Sequence, residues 1–103
     1  METQKIISIA EAKEQYSINV VKLSKILSYM NAREKELEDV EFAKNEGDKE
    51  FEEMSQQTAD SFEKQANFLL GQVTDKDVQL MCTYEFVLIH GEGGKNLIQV
   101  TEK

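Results

Sequence analysis

The sequence predicts an α+β fold in which a long antiparallel helical hairpin precedes a C-terminal β-hairpin. Up to about residue 77, apolar residues recur every three or four positions, which is the period of an amphipathic helix. From Val78 to Ile89 apolar residues alternate along the chain, which is the period of a strand. The chain contains no proline, the residue that most strongly interrupts a helix.

A short N-terminal strand is predicted at residues 5–9, which are apolar and rich in isoleucine. We expect this strand to join the C-terminal hairpin. Ser8 is suited to cap a short helix over residues 9–16, and Ser17 to Asn19 indicate a break before a second helix.

The two long helices are predicted at about residues 18–46 and 49–70. Gly47 can adopt the left-handed conformation that ends a helix, and Asp48 can cap the helix that follows. Because this connection is short, the two helices should lie side by side and antiparallel. Of these two long helices, the one at residues 49–70 has the more regular apolar pattern. Its apolar face is formed by Phe51, Met54, Thr58, Phe62, Ala66, Leu69 and Val73.

The hairpin strands are predicted at about residues 78–90 and 95–101, joined by the glycine-rich turn at residues 91–94. A helical turn capped by Thr74 and Asp77 is the alternative start, but the long alternation favours a strand. The second face of the hairpin is also apolar, and it is expected to carry Val87, Ile89, Ile98 and Val100. We therefore expect one face to meet the helices and the other a second protein chain.

Length and composition set the class of protein. The chain has 103 residues, which favours a single domain over residues 1–103, and its net charge is −8. The sequence has no apolar run that would span a membrane and no secretion signal, and its single cysteine excludes an internal disulfide. We therefore expect a cytoplasmic protein with no membrane association, and its small size and acidity suit a phage or mobile element.

Catalytic, metal and cofactor sites are not predicted. His90 is the only histidine and lies beside the glycine turn, and Cys82 lies between apolar residues of the predicted strand. Neither residue has the partners that nucleophilic catalysis or metal binding requires. The sequence thus favours a protein that is not an enzyme and binds no cofactor.

Residues 8–27, SIAEAKEQYSINVVKLSKIL, resemble the helix-turn-helix of small excisionase-type or MerR-type regulators. In that motif a first helix meets a turn, and a second helix enters the major groove of DNA. The resemblance implies DNA contacts from Asn19, Lys22 and Lys25.

The leading hypothesis is a non-catalytic interaction or assembly module that self-associates or docks on a larger protein. Residues 33–53 carry ten acidic side chains against four basic ones, so inhibition of a nucleic-acid-binding protein is a further form of this hypothesis. The alternative is a small DNA-binding regulator or packaging-type adaptor with a helical oligomerisation stalk. The predicted protein interface comprises Phe51, Met54, Phe62, Leu69, Val87, Ile89, Glu38 and Glu41.

Overall fold

The computed structural model describes residues 4–103, and it confirms the predicted α+β fold. Two long helices form the hairpin, and three strands form one antiparallel sheet. In chain order the elements are β1 (Gln4–Ser8), α1 (Ile9–Gln15), α2 (Val20–Glu46), α3 (Lys49–Leu70), α4 (Asp75–Thr83), β2 (Tyr84–His90) and β3 (Asn96–Glu102).

The sheet has the strand order β1-β3-β2, so the predicted N-terminal strand does join the C-terminal hairpin. In the central strand β3, Ile98 lies opposite Ile7 of β1 and Leu88 of β2. Val100 lies opposite Phe86 in the same way. Because directly opposed residues share a face, these side chains form the inner face of the sheet.

The predicted placement of Ile98 and Val100 on the second face is therefore wrong. Both side chains are buried on the inner face, and Gln99 and Leu97 lie beside Val87 and Ile89 on the outer face. A shift of one residue in register exchanges the two faces of a strand, and the turn sets that register. Here the turn contains a short 3-10 segment, Glu92–Gly94, that apolar patterning alone does not reveal.

The first half of α2 packs on the inner face of the sheet and makes the core with it. Each large apolar side chain fully buried here contributes about 1.5–3 kcal/mol. The buried core residues are Ala12, Val20, Leu23, Ile26, Phe86, Ile98 and Val100.

Together with α3, the second half of α2 forms a helical stalk, and the molecule measures 49 × 31 × 30 Å. Gly47 connects the helices with φ of 72°, as predicted. The carboxylate of Asp48 then accepts a hydrogen bond from the backbone N–H of Phe51 at 3.1 Å, which confirms the predicted cap of α3.

The structure corrects the start of the C-terminal hairpin. Residues 78–83 belong to α4, and the strand begins only at Tyr84, so the alternative that begins at Thr74 is the correct one. Thr74 Oγ1 accepts from the backbone N–H of Asp77 at 3.1 Å, and Asp77 Oδ2 accepts from that of Thr74 at 3.0 Å. This reciprocal capping box fixes a helix start that an alternating apolar pattern conceals.

The same carboxylate joins α4 to the start of α2. Ser17 donates its hydroxyl proton to Asp77 Oδ1, and Asn19 Nδ2 donates to Asp77 Oδ2 at 2.8 Å. We call this group of Ser17, Asn19, Thr74 and Asp77 the Asp77 clasp. Asp77 is only 3% exposed. Burial alone would raise its pKa, but the hydrogen bonds from Ser17, Asn19 and Thr74 outweigh burial and lower the pKa from 3.8 to about 2.

The pKa of Asp77 predicts a pH-dependent contribution to stability. Because the pKa is lower in the folded state, the ionised carboxylate stabilises the fold above pH 3.8, and this contribution is lost as the pH falls toward 2. We expect Asp77→Asn to lower the free energy of unfolding by about 2 kcal/mol at pH 7, with about half of that difference gone by pH 3. Urea unfolding of both proteins across this range, followed by circular dichroism, measures it.

Asp75→Asn is the matched control, because Asp75 also lies in the first turn of α4 but is exposed. Its loss should cost only a few tenths of a kcal/mol through the helix dipole. Equal destabilisation by the two substitutions would contradict a special role for the Asp77 clasp.

Candidate interaction surfaces

The structure does not bring the eight predicted interface residues together on one surface. Four of them lie on α3, two on the outer face of β2, and two on the charged side of α2. Among the four on α3, some contact α2 and some face solvent. The four residues on α3 thus lie on two different sides of that helix.

One side of α3 packs against α2 at spacings of four and three residues. We call this side the inner seam; Ala59 is fully buried in it, and Phe62 stacks on Tyr29 of α2 with ring centroids 6.3 Å apart. Its three small side chains, those of Ser55, Ala59 and Ala66, are all buried. The inner seam consists of Ser55, Ala59, Phe62, Ala66 and Leu69.

A second seam runs along α3 beside the first, and every residue in it is exposed. Its spacings are three, four, three, four and three residues, the repeat by which one helix packs against another. No side chain in it is ionised at neutral pH. This outer seam consists of Phe51, Met54, Thr58, Ser61, Gln65 and Phe68.

The outer seam leaves large apolar side chains in water. Phe51, Met54 and Phe68 are 39%, 61% and 71% exposed. Exposed apolar side chains that recur on one helix face typically mark a contact site rather than a solvated surface. Phe51 and Met54 of the predicted interface thus lie on this seam, while Phe62 and Leu69 belong to the inner one.

Phe68 is not among the eight predicted interface residues, because the sequence analysis assigned a single apolar face of 3.6-residue period to α3. That face runs between the two seams and includes residues of both. The signal for Phe68 was its place at the end of the alternating three- and four-residue spacing that begins at Phe51.

The outer face of the sheet is a second, smaller apolar surface. Val87 and Ile89 lie on it, with Ile6 of β1 and Leu97 of β3 on the neighbouring strands. Ile6 and Val87 are exposed, and Ile89 and Leu97 are half-buried. Polar Gln99 lies between Ile6 and Val87, so the apolar area is interrupted.

The acidic residues Glu38 and Glu41 are both exposed on α2. Two ion pairs occur within residues 4–103, and each links α2 to α3: Arg33 with Glu63 at 3.8 Å and Lys44 with Glu52 at 4.0 Å. Pairs as exposed as these contribute little to stability. They use two of the few cations in the stalk, which leaves its surface acidic.

The three residues implied in DNA binding lie at the start of α2, but their surroundings differ. The amide of Asn19 is engaged with Asp77 in the clasp, Lys22 is half-buried, and Lys25 is exposed. The ionised carboxylate of Asp77 lies at the helix end that a DNA phosphate would approach. Its negative charge opposes such an approach.

An apolar cavity of about 290 Å³ lies between α2, α4 and β2, lined mainly by leucine, methionine and aromatic side chains. Cys82 and Lys103 reach it, and the ammonium of Lys103 donates to the backbone oxygen of Met81 at 2.7 Å. Carboxylates and imidazoles are absent from the described residues that line it. The cavity thus offers a hydrocarbon surface rather than a pair of groups for acid–base chemistry.

His90 lies at the end of β2, where its Nδ1 is 2.8 Å from Oδ1 of Asn96 on β3. Across residues 4–103 no three of the side chains of histidine, cysteine, aspartate and glutamate converge as a metal site would require. Within the same range, no helix combines the length and apolarity of a membrane span.

Comparisons with protein-family models, with curated proteins and with solved structures find no match to this chain. The exposed surfaces of the molecule are therefore the basis for its proposed function.

The division of α3 into two seams makes a direct prediction for adjacent residues. Ala59→Leu should destabilise the chain by about 1–3 kcal/mol, because the buried inner seam has no room for a larger side chain. Thr58→Leu should leave the free energy of unfolding within about 0.5 kcal/mol or raise it, because Thr58 is exposed. Urea unfolding of both variants measures the difference, and a destabilising Thr58→Leu would refute the assignment.

Proposed function

We propose that this chain is a non-catalytic assembly module that associates with another protein through the outer seam of α3. The observation that carries this proposal is the exposure of Phe51, Met54 and Phe68 on a helix face with no ionised side chain. Apart from Phe42 of α2, the other exposed positions in the second half of α2 are charged or polar, so the outer seam differs from its surroundings. Burying these three side chains would recover about 25 cal/mol for each Å² of apolar area removed from water.

The spacing of the outer seam supports association with a helix in particular. Residues repeating at three and four positions form a ridge that inserts between the side chains of a facing helix. The inner seam already holds α3 rigidly against α2, so the outer seam is presented without a further cost of ordering. Such preorganisation favours binding, because less conformational entropy is lost on association.

The test compares two seam substitutions with a matched one elsewhere. Met54→Glu with Phe68→Glu should abolish association, because each carboxylate would have to be buried at the contact. Phe42→Glu is the control, since Phe42 lies on α2 and is 62% exposed, as much as Met54. Association is measured by sedimentation of the purified protein and by affinity capture from host lysate, with and without nuclease.

We expect association to be lost in the seam variant and retained in the Phe42 control. Both results should be the same with and without nuclease. Association that survives both carboxylates in the outer seam would contradict the proposal. Circular dichroism establishes that the variants are folded, which we expect because all three positions are exposed.

DNA binding through residues 8–27 is the competing proposal, and it has less support because the Asp77 clasp occupies Asn19. It predicts a mobility shift of DNA that disappears with Lys22→Glu and Lys25→Glu together. We expect no shift from the unmodified chain at physiological salt, because its net charge is −8. A shift that depends on these two lysines would replace the assembly proposal.

A further inference from the structure

The order of residues along the outer seam indicates what covers it. Aromatic residues stand at its two ends, Phe51 and Phe68, and small hydroxyl residues stand at its centre, Thr58 and Ser61. Read in either direction, the seam therefore has nearly the same sequence of side-chain types. A surface of this kind is complementary to itself after a twofold rotation.

We propose that the outer seam pairs with the outer seam of a second copy of this chain in antiparallel orientation. This inference rests on the proposed function and names the partner. In the pairing that matches the ends, Phe51 lies opposite Phe68 of the second copy, and Thr58 lies opposite Ser61 of the second copy. Met54 then lies opposite Gln65 of the second copy, so no ionised side chain enters the contact.

Charge selects the antiparallel orientation over the parallel one. Residues 33–53 at the far end of the stalk carry ten acidic side chains and four basic ones. A parallel pair would place two such ends side by side, whereas the antiparallel pair places each beside the less charged end of the other α3. Antiparallel helices also align their dipoles favourably.

The outer seam is long enough to form such a pair. The outer seam is about 26 Å long from Phe51 to Phe68, at about 1.5 Å per residue. Because the inner and outer seams are neighbouring faces of α3, the two α3 helices would form the centre of a four-helix arrangement, with each α2 packed on the inner seam of its own α3. Only three of the six seam residues are large and apolar, so we expect a reversible dimer with a dissociation constant of about 1–100 µM.

The experiment traps the register with disulfides in a Cys82→Ser background, which removes the only native thiol. Met54→Cys and Gln65→Cys are made in separate chains that carry tags of different mass, and the chains are mixed and oxidised. The proposed register brings these two positions together, so the mixture should give a mixed disulfide dimer on a non-reducing gel. Each variant alone should give little dimer, since identical positions lie about 16 Å apart along the helix axis.

Gln56→Cys mixed with Glu63→Cys is the matched control. These residues lie at the same two levels of the antiparallel pair, but on the side of α3 away from the outer seam. Sedimentation of the unmodified chain measures the same dimer without any introduced cysteine. Phe68→Glu should weaken the dimer at least about tenfold there.

The outcomes separate this inference from the proposed function. Homodisulfides of Met54→Cys and of Gln65→Cys formed by each variant alone would establish the parallel pair and overturn the antiparallel one. A chain that stays monomeric up to about 500 µM, with no cross-linking above the control, overturns the second copy as partner. Seam-dependent capture of another protein in that case would leave the proposed function standing, and its absence would overturn both.

Discussion

The carboxylate of Asp77 accepts hydrogen bonds from groups at the starts of two helices that lie almost sixty residues apart in the chain. A buried carboxylate is unfavourable unless such donors surround it, so the start of α2 and the start of α4 are held together. The position of α2 on the sheet follows from this constraint, because α4 leads directly into β2. The position of α2 on the sheet therefore also sets the direction in which the helical stalk extends.

Within the stalk, α3 separates buried from exposed side chains by their position around the helix. Ala59 and Ala66 face α2 and are buried there. The large side chains of Met54 and Phe68 stand on the neighbouring seam, where α2 leaves them exposed. One helix thus completes the hairpin on one face and leaves an apolar seam exposed on the neighbouring face, and the charged residues of the stalk lie outside both.

Local chemistry made the helical hairpin predictable. Gly47 and Asp48 supply a helix end and a helix start in adjacent positions, and no tertiary contact is needed to recognise them. The nature of residues 78–83 was not predictable in the same way, because their apolar pattern fits both a strand and a helix. The capping box of Thr74 and Asp77 starts a helix there, and the bonds of Asp77 with Ser17 and Asn19, which only the folded chain brings together, hold that start in place. The register of β3 was hidden for a similar reason, since the turn sets it.

For the candidate interface, Phe51 and Met54 were among the predicted residues. The division of α3 into two seams was not predictable, because it depends on where α2 lies.

The central place of β3 in the sheet has a kinetic consequence. Its pairing with β1 joins segments about 90 residues apart, whereas α2 and α3 meet across a single turn. Contacts of such different sequence separation form at different rates, because closing a long loop costs more entropy than closing a short one. The helical hairpin is therefore available early in folding, while the sheet closes late. Until β1 joins β3, one edge of the central strand remains unpaired, and this interval is when the chain is most prone to aggregate.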